Sequence, residues 1–344
     1  MTSPEVADRA KRQPRFWPVA LAELTGLSPL ALGVACTLAI GAVILTAIGA
    51  FAPDRFESQS DYISALGTGV FFTLLSAYSI AAINFVIDRQ QRALDELRPS
   101  LMLTDQSFAA TKDELRTSTP GFLLLYAALS LAGAGAHLTL LSHIGEVPID
   151  RRMLEIPLLG STIGTFVVWF VVTHVIALFM ENTITISKLA DDAKIDVLQP
   201  HALDGFGTIA LLPTLGLIGM QMLYPLLSLG GFNAGTVLPG FVLTLGSLVY
   251  LFFRPLWPLH RRIAAAKADA IAAANAHIDA WRESGDGSLA ELQPLLDHRD
   301  YLFRLSEWPF KGSTFGRWLF YLVVPLAAWV SSALVEIWLE GVLG

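Results

Sequence analysis

Charged residues are scarce in this chain. They make up 15% of its 344 residues, whereas soluble domains carry about 25%. Hydrophobic residues make up 53%, and several apolar runs approach the roughly 20 residues that a helix needs to cross a bilayer. This composition excludes an ordinary soluble domain. It predicts an all-α, polytopic protein whose main partner is the lipid bilayer.

The chain has only one cysteine and no net positive charge. The single cysteine, Cys36, lies in an apolar run, which excludes a disulfide framework and predicts a small buried side chain. The formal net charge is −7, which argues against a nucleic-acid partner.

Lysine and arginine avoid seven apolar runs of the sequence, except for Arg254 near the end of the sixth run. Each run is long enough to cross a hydrocarbon core about 30 Å thick. We predict seven transmembrane helices, at 29–51, 62–87, 120–142, 158–183, 207–229, 236–257 and 318–340. A retinal protein is excluded, because its Schiff base needs a lysine within a span and none of the seven has one.

The connections between the spans differ strongly in basic residues. Twenty of the 23 Lys and Arg residues fall on one predicted side, and three fall on the other. The positive-inside rule then places the N-terminus in the cytoplasm and the C-terminus outside the cell membrane. The first span ends in a sequence at 50–52 that resembles a signal-peptidase site. Its apolar run is longer than that of a signal peptide, so we expect an uncleaved anchor.

The spans and their connections divide the chain into four predicted parts. These are a cytoplasmic or interfacial N-terminal segment 1–28, a six-span bundle 29–257 with cytoplasmic loops 88–119 and 184–206, a cytoplasmic helical hairpin 258–317, and a seventh span with an external C-terminus 318–344.

The cytoplasmic hairpin is predicted from an apolar periodicity. Apolar residues recur at three- and four-residue steps between Ile263 and Trp281, which indicates an amphipathic helix that continues from the sixth span. The sequence "SGDG" at 284–287 ends this helix, and we expect a second helix with a kink or restart at Pro294. The sequence of the 88–116 loop predicts two more short helices. All these helices either form a solvated bundle or join several copies of the chain into a homo-oligomer.

Catalytic and cofactor signatures are absent from the sequence. There is no G-x-S-x-G, H-E-x-x-H, P-loop or dinucleotide fingerprint, so we expect neither an enzyme nor a cofactor. The acidic loop 184–206 lacks the ligand spacing of a zinc site or an EF-hand, so we expect no metal there. The run "LAGAGAH" at 131–137 lies within a span, where small residues let helices approach closely.

Few polar side chains lie inside the predicted spans, and such residues are the default functional candidates of a membrane protein. They are His137, His174, Glu181, Asn84 and Gln221. At 1.5 Å per residue, the two histidines lie roughly 8–9 Å and 24 Å below the outer boundary, too far apart in depth to share a haem iron. We expect each histidine to hydrogen-bond to a neighbouring helix. A proton relay is the alternative, because His174 and Glu181 share a helix face.

The last span carries a small and polar stripe along one face. It consists of Ala328, Ser331, Ser332, Val335 and Glu336, at positions i, i+3, i+4, i+7 and i+8, and Glu340 extends it by one turn. The opposite face is bulky, so we expect the stripe to face protein or water. Glu336 either reaches the outer headgroups or, if several copies meet on the stripe, contributes to acidic rings around a path for cations.

The sequence "SEWPFKGSTFGRWLFYLVVPLAAWVSSALVE" at 306–336 resembles a C-terminal signature of uncharacterised bacterial integral membrane proteins. That resemblance implies a bacterial inner-membrane protein and no particular activity. The arrangement of seven spans, with cytoplasmic helices before the last, is similar to the insect odorant and gustatory receptor class. This second resemblance implies a tetrameric cation channel whose last span lines the pore.

Three functions follow from these observations. The leading hypothesis is an oligomeric, cation-favouring channel with the stripe of the last span at its axis. A secondary transporter with a central site is the second, and discontinuous helices in the structure would favour it. The third is a signalling or scaffold protein that acts through the cytoplasmic hairpin.

Overall fold

The structure is a computed structural model that describes residues 15–143, 150–156, 158–228, 234–284, 289–310, 315–321, 323–324 and 327. These residues form an all-α protein, and no β-sheet occurs among them. The helices are α1 Trp17–Thr25, α2 Pro29–Ile48, α3 Gln59–Leu97, α4 Asp105–Glu114, α5 Pro120–His143, α6 Leu158–Leu189, α7 Asp204–Gln221, α8 Ala234–Ser284 and α9 Leu289–Arg304.

Six of these helices, α2, α3, α5, α6, α7 and α8, are long and apolar enough to cross a membrane. They coincide with the first six spans predicted from the sequence. Most of the seventh, 318–340, lies outside the described residues, although 315–321 is helical. The chain is therefore a multi-pass membrane protein with at least six candidate spans.

Helix α3 lies at the centre of the bundle, and α2 and α5 lie at its edge. In the most apolar stretch of α3, 72% of the residues are buried, compared with 22% in α2 and 17% in α5. The outward side chains of the two edge helices are large and apolar: Leu38 is 71% exposed and Leu124 is 76% exposed. Such surfaces are stable in lipid and would aggregate in water.

The helix ends follow from local sequence. Ser28 caps α2 by accepting a hydrogen bond from the Ala31 N–H at 3.3 Å, and Pro29 occupies the first helical position. Gly49 ends α2 with φ of +85°, a conformation that favours glycine. Ser58 caps α3 by accepting from the Asp61 N–H at 3.1 Å.

The connections lie at two opposite ends of the bundle. Residues 49–58 and 150–156 meet at one end, where Ile156 packs on Gly49, and we call this the short-loop end. The other end, called the hairpin end, carries α4, the 190–203 connection and α9. There the Met102 N–H donates to the Asp192 carbonyl at 2.7 Å. The helical pieces predicted in the 88–116 loop are present as the end of α3 and as α4.

The predicted hairpin is present at this end. Helix α8 runs without interruption for 51 residues, from the sixth span into the amphipathic segment, as the sequence indicated. Lys267 ties α8 to the end of α9 by donating to the Phe303 and Leu305 carbonyls at 3.1 and 2.9 Å. The chain does not restart at Pro294, because α9 continues through it. Pro294 is the sixth residue of α9 and removes one intrahelical hydrogen bond, so the predicted kink stays a prediction.

The fifth span is discontinuous. Helix α7 ends at Gln221, a turn follows at 222–223, and the chain continues as a 3-10 helix at Tyr224–Ser228. The break lies about 22 Å along the helix axis from residue 207, which places it inside the predicted 207–229 span. Irregular backbone at such a depth is tolerated where it is buried in protein or borders a water-filled cavity.

Candidate functional site

A cavity of about 320 Å³ opens at the short-loop end. It lies between α3, α5, α6 and the 3-10 segment that follows the break in the fifth span. Its lining consists of Phe56, Asp61, Ser64, Ala65, Thr68, Phe71, Phe72, His137, Leu141, Leu158, Ser161, Thr165, Val168, Trp169, Val172, Tyr224, Leu227 and Leu243. Ligand sites in proteins have volumes of about 300–1,000 Å³ and a mainly apolar lining with a few polar groups.

Two facing helices supply the polar side of the cavity. Asp61, Ser64 and Thr68 follow one another on α3 at three- and four-residue steps, and Ser161 and Thr165 do so on α6. The Thr165 hydroxyl donates to the Ser161 carbonyl at 2.8 Å. The hydroxyls of Ser64, Thr68 and Ser161 have no hydrogen-bond partner among the described residues. These three hydroxyls are available to water or a solute.

Aromatic rings form the floor of the cavity. The Phe71 ring lies edge-on to Tyr224, with 5.2 Å between centroids, and 5.7 Å from Phe72. Phe72 packs against Gly164, where an added Cβ would come within 1.9 Å of its ring. Tyr224 is only 5% exposed, and within the described ranges its hydroxyl has no hydrogen-bond partner. A cavity-lining hydroxyl without a protein partner can bond to water or to a solute in the cavity.

His137, a sequence-predicted candidate, lines this cavity from α5. Its Nδ1 accepts a hydrogen bond from the Trp169 indole N–H on α6, at 3.1 Å. Because Nδ1 acts as the acceptor, the imidazole is neutral. This bond confirms the expectation that His137 bonds to a neighbouring helix. Trp169 is in turn held against α5 at Gly133, where an added Cβ would lie 2.3 Å from the indole.

Glu181 lies in a second polar cluster, nearer the hairpin end. One of its carboxylate oxygens, Oε1, accepts hydrogen bonds from the Tyr126 hydroxyl at 2.6 Å and the Ser118 hydroxyl at 3.0 Å. The Tyr126 ring also lies edge-on to His174, with 6.1 Å between centroids. His174 and Glu181 were predicted to share one face of α6, and both contact Tyr126 near the beginning of α5.

His174 differs from its sequence-based expectation in one respect. Its Nδ1 donates to the Phe170 carbonyl at 2.7 Å, on its own helix rather than a neighbouring one. The ring is 3% exposed and packs among the aromatic rings of Phe16, Tyr126 and Phe170. Aromatic packing supplies the contact between helices that a hydrogen bond was expected to make.

The two predicted amide candidates are buried in the bundle. Asn84 on α3 donates to the Pro18 carbonyl of α1 at 3.2 Å and to the Ile80 carbonyl at 2.9 Å. It therefore fastens the N-terminal helix to the bundle. Gln221 is 2% exposed and is the last residue of α7 before the break. Neither amide lines the cavity.

The candidates of the last span lie outside the described residues. They are Ala328, Ser331, Ser332, Glu336 and Glu340. Within the ranges that the structure describes, no group of three or more His, Cys, Asp or Glu side chains could hold a metal ion.

No family model, curated protein or solved structure matches this chain. The two resemblances inferred from the sequence therefore stay predictions.

Proposed function

We propose that the protein is a secondary transporter that binds its solute in the cavity at the short-loop end. The observation that carries the proposal is the break in the fifth span beside that cavity. Tyr224, the first residue of the 3-10 segment after the break, lines the cavity with its hydroxyl unpaired among the described residues. Transporters form their solute sites from such discontinuous helices.

The composition of the cavity supports solute binding. Unpaired hydroxyls occur on α3 and α6, Asp61, His137 and Thr165 add further polar groups, and aromatic and aliphatic side chains make up most of the remaining lining. A few directed polar groups on an apolar wall fix the orientation of a small molecule while apolar contacts supply affinity. We further propose that the short-loop end faces the outside of the cell, because the basic residues concentrate at the opposite end.

Alternating access is tested by labelling a cysteine placed in the cavity. In a Cys36→Ala background, Thr68→Cys is exposed to the small, membrane-impermeant trimethylammonium-ethyl and sulfonato-ethyl methanethiosulfonates. The two reagents carry opposite charges, so labelling by both shows access to the cavity rather than a preference for one charge. We expect labelling in right-side-out vesicles and also in inside-out vesicles, because a transporter presents its site to each side in turn.

The matched control is Thr73→Cys, five residues further along α3. Thr73 is 4% exposed and packs on Gly41 of α2 rather than in the cavity, so we expect no labelling from either side. Labelling of Thr68→Cys from one side only would identify a binding protein without transport. No labelling from either side would show that solutes do not reach the cavity. Either result overturns the proposal.

A channel formed by several copies is the second candidate function, based on the polar stripe of the last span. The described beginning of that span is consistent with a helix at the edge of one chain. Trp318 packs on Phe252 of α8 with 4.7 Å between ring centroids, whereas Phe320 is 65% exposed. The exposed side is free to meet lipid or a second copy of the chain. We propose a homo-oligomer with Glu336 near its axis as the arrangement for this function.

Planar-bilayer recordings of the purified protein test the channel. We expect a cation-selective conductance whose selectivity weakens in Glu336→Gln, because the acidic ring that attracts cations loses its charge. Ser331→Ala keeps that charge and is the control. A silent bilayer, or a selectivity unchanged by Glu336→Gln, would count against the channel and leave the transporter as the remaining proposal.

A further inference from the structure

We propose that the cavity selects organic cations, namely ammonium compounds with an apolar body. This inference rests on the proposed solute site and specifies the chemistry of its ligand. Three features of the lining support it: one acidic side chain, a set of aromatic rings, and hydroxyls that accept as well as donate hydrogen bonds.

The charges of the lining have one sign. Among the described residues that line the cavity, Asp61 is the only charged side chain, and none is a lysine or an arginine. Asp61 is bonded to the Ser58 hydroxyl at 2.7 Å, and no lysine or arginine of the described chain forms an ion pair with it. His137 is neutral through its bond from Trp169. An anionic solute would meet repulsion without compensation, whereas a cation would find a counter-charge at the mouth.

The rings favour the same class of ligand. Among the described residues, the aromatic side chains that line the cavity are Phe56, Phe71, Phe72, Trp169 and Tyr224. Aromatic faces attract cations electrostatically, most strongly where water is excluded, and such walls are how proteins recognise quaternary ammonium groups. Phe56, which precedes α3, lines the mouth together with Asp61, so the mouth combines a carboxylate and an aromatic ring.

The lining also divides along the depth of the cavity. Asp61, Ser64 and Ser161 lie in the first turns of α3 and α6, near the mouth, and Phe72 and Val172 lie at least two turns further in. A ligand with a charged head and an apolar body would place the head beside Asp61 and the body on the aromatic floor. A fully polar cation would leave that floor uncovered, so an apolar body belongs to the inferred class.

Protection of the Thr68→Cys variant from labelling tests the ligand class. The purified Cys36→Ala, Thr68→Cys protein is labelled with N-ethylmaleimide, which is neutral, in the presence of phenyltrimethylammonium or of benzenesulfonate. The two probes share a phenyl ring and differ in charge. We expect phenyltrimethylammonium to slow labelling about tenfold at a saturating concentration and benzenesulfonate to have no effect.

Two substitutions connect the protection to the proposed residues. Asp61→Asn removes the charge and keeps an oxygen that can accept the Ser58 hydroxyl, and we expect the concentration of phenyltrimethylammonium needed for protection to rise about tenfold. Phe56→Leu removes a ring at the mouth and keeps apolar volume, and it should raise that concentration severalfold. It provides an independent test if Asp61→Asn does not fold.

The outcomes separate this inference from the proposed function. Labelling that benzenesulfonate slows, or that neither probe slows, overturns the choice of organic cations but leaves an accessible solute cavity. Unchanged protection in both variants also overturns it. If N-ethylmaleimide does not label Thr68→Cys at all, the cavity is closed to solutes, and the proposed function fails together with the inference.

Discussion

Gly160→Ala is expected to destabilise the protein strongly, because the added methyl group would meet backbone atoms of α2. At Gly160, near the start of α6, an added Cβ would lie 2.5 Å from the backbone nitrogen of Ile48 and 2.8 Å from the carbonyl carbon of Ala47. Backbone atoms cannot rotate away, so α2 and α6 have to separate. Overpacking of this kind lowers the free energy of unfolding by about 1–3 kcal/mol, and by more where helices must shift.

The measurement is thermal unfolding in detergent, followed by tryptophan fluorescence. Gly135→Ala is the matched control, because no atom lies within 4 Å of the Cβ it would add to α5. We expect it to leave the melting temperature unchanged or to raise it slightly, since alanine favours helix over glycine. Equal melting temperatures for the two variants would contradict the close approach of α2 and α6.

Glu181→Ala is the second large effect that we expect. The carboxylate accepts hydrogen bonds from the hydroxyls of Tyr126 and Ser118. Ser118 is 1% exposed, so removal of its acceptor leaves a buried donor that water cannot satisfy. An unsatisfied buried donor lowers the free energy of unfolding by about 1–3 kcal/mol. The beginning of α5 should therefore separate from α6, with a lower melting temperature and faster hydrogen exchange near Thr119.

Glu181→Gln separates hydrogen bonding from charge. Glutamine keeps an Oε1 that accepts from both hydroxyls, so we expect it to retain most of the stability that Glu181→Ala loses. If both variants lose the same stability, the negative charge rather than the acceptor geometry is what matters at this position. A stable Glu181→Gln protein without transport would support the proton relay that the sequence left open.

The spans and the hairpin could be predicted because they depend on local sequence. A run of about 20 apolar residues identifies a membrane helix whatever surrounds it. Apolar residues at three- and four-residue steps from Ile263 to Trp281 likewise predicted that α8 continues beyond the sixth span. In both cases the information lies within a single helix.

The cavity could not be predicted, because it exists only between helices. Many hydroxyls in membrane helices bond to their own backbone, as the Thr73 hydroxyl does with the Gly69 carbonyl at 2.8 Å. In the sequence, nothing distinguishes Ser64, Thr68 and Ser161 from such residues. Only the packing of α3 against α6 distinguishes the hydroxyls that stay unpaired. Asp61 lies just before the predicted 62–87 span, so it was not among the ionisable residues predicted inside the spans.

The break in the fifth span did have a sequence signal. Pro225 has no backbone N–H, so it cannot donate the hydrogen bond to the Gln221 carbonyl that would continue α7 as an α-helix. Because the whole 207–229 run is apolar, its composition concealed the break. A proline near the end of an apolar run therefore marks where a membrane helix can change into another backbone form.

The length of α8 has a mechanical consequence. The same helix contributes Leu243 to the cavity wall and, beyond the bundle, ends at Ser284 in the hairpin. Those two positions are about 60 Å apart along the axis. If α8 tilted by about 5° about its cavity end, Ser284 would move sideways by roughly 5 Å, because the two positions are about 60 Å apart. In the proposed transporter, this length would turn a small adjustment of α8 beside a bound solute into a larger displacement at the hairpin end.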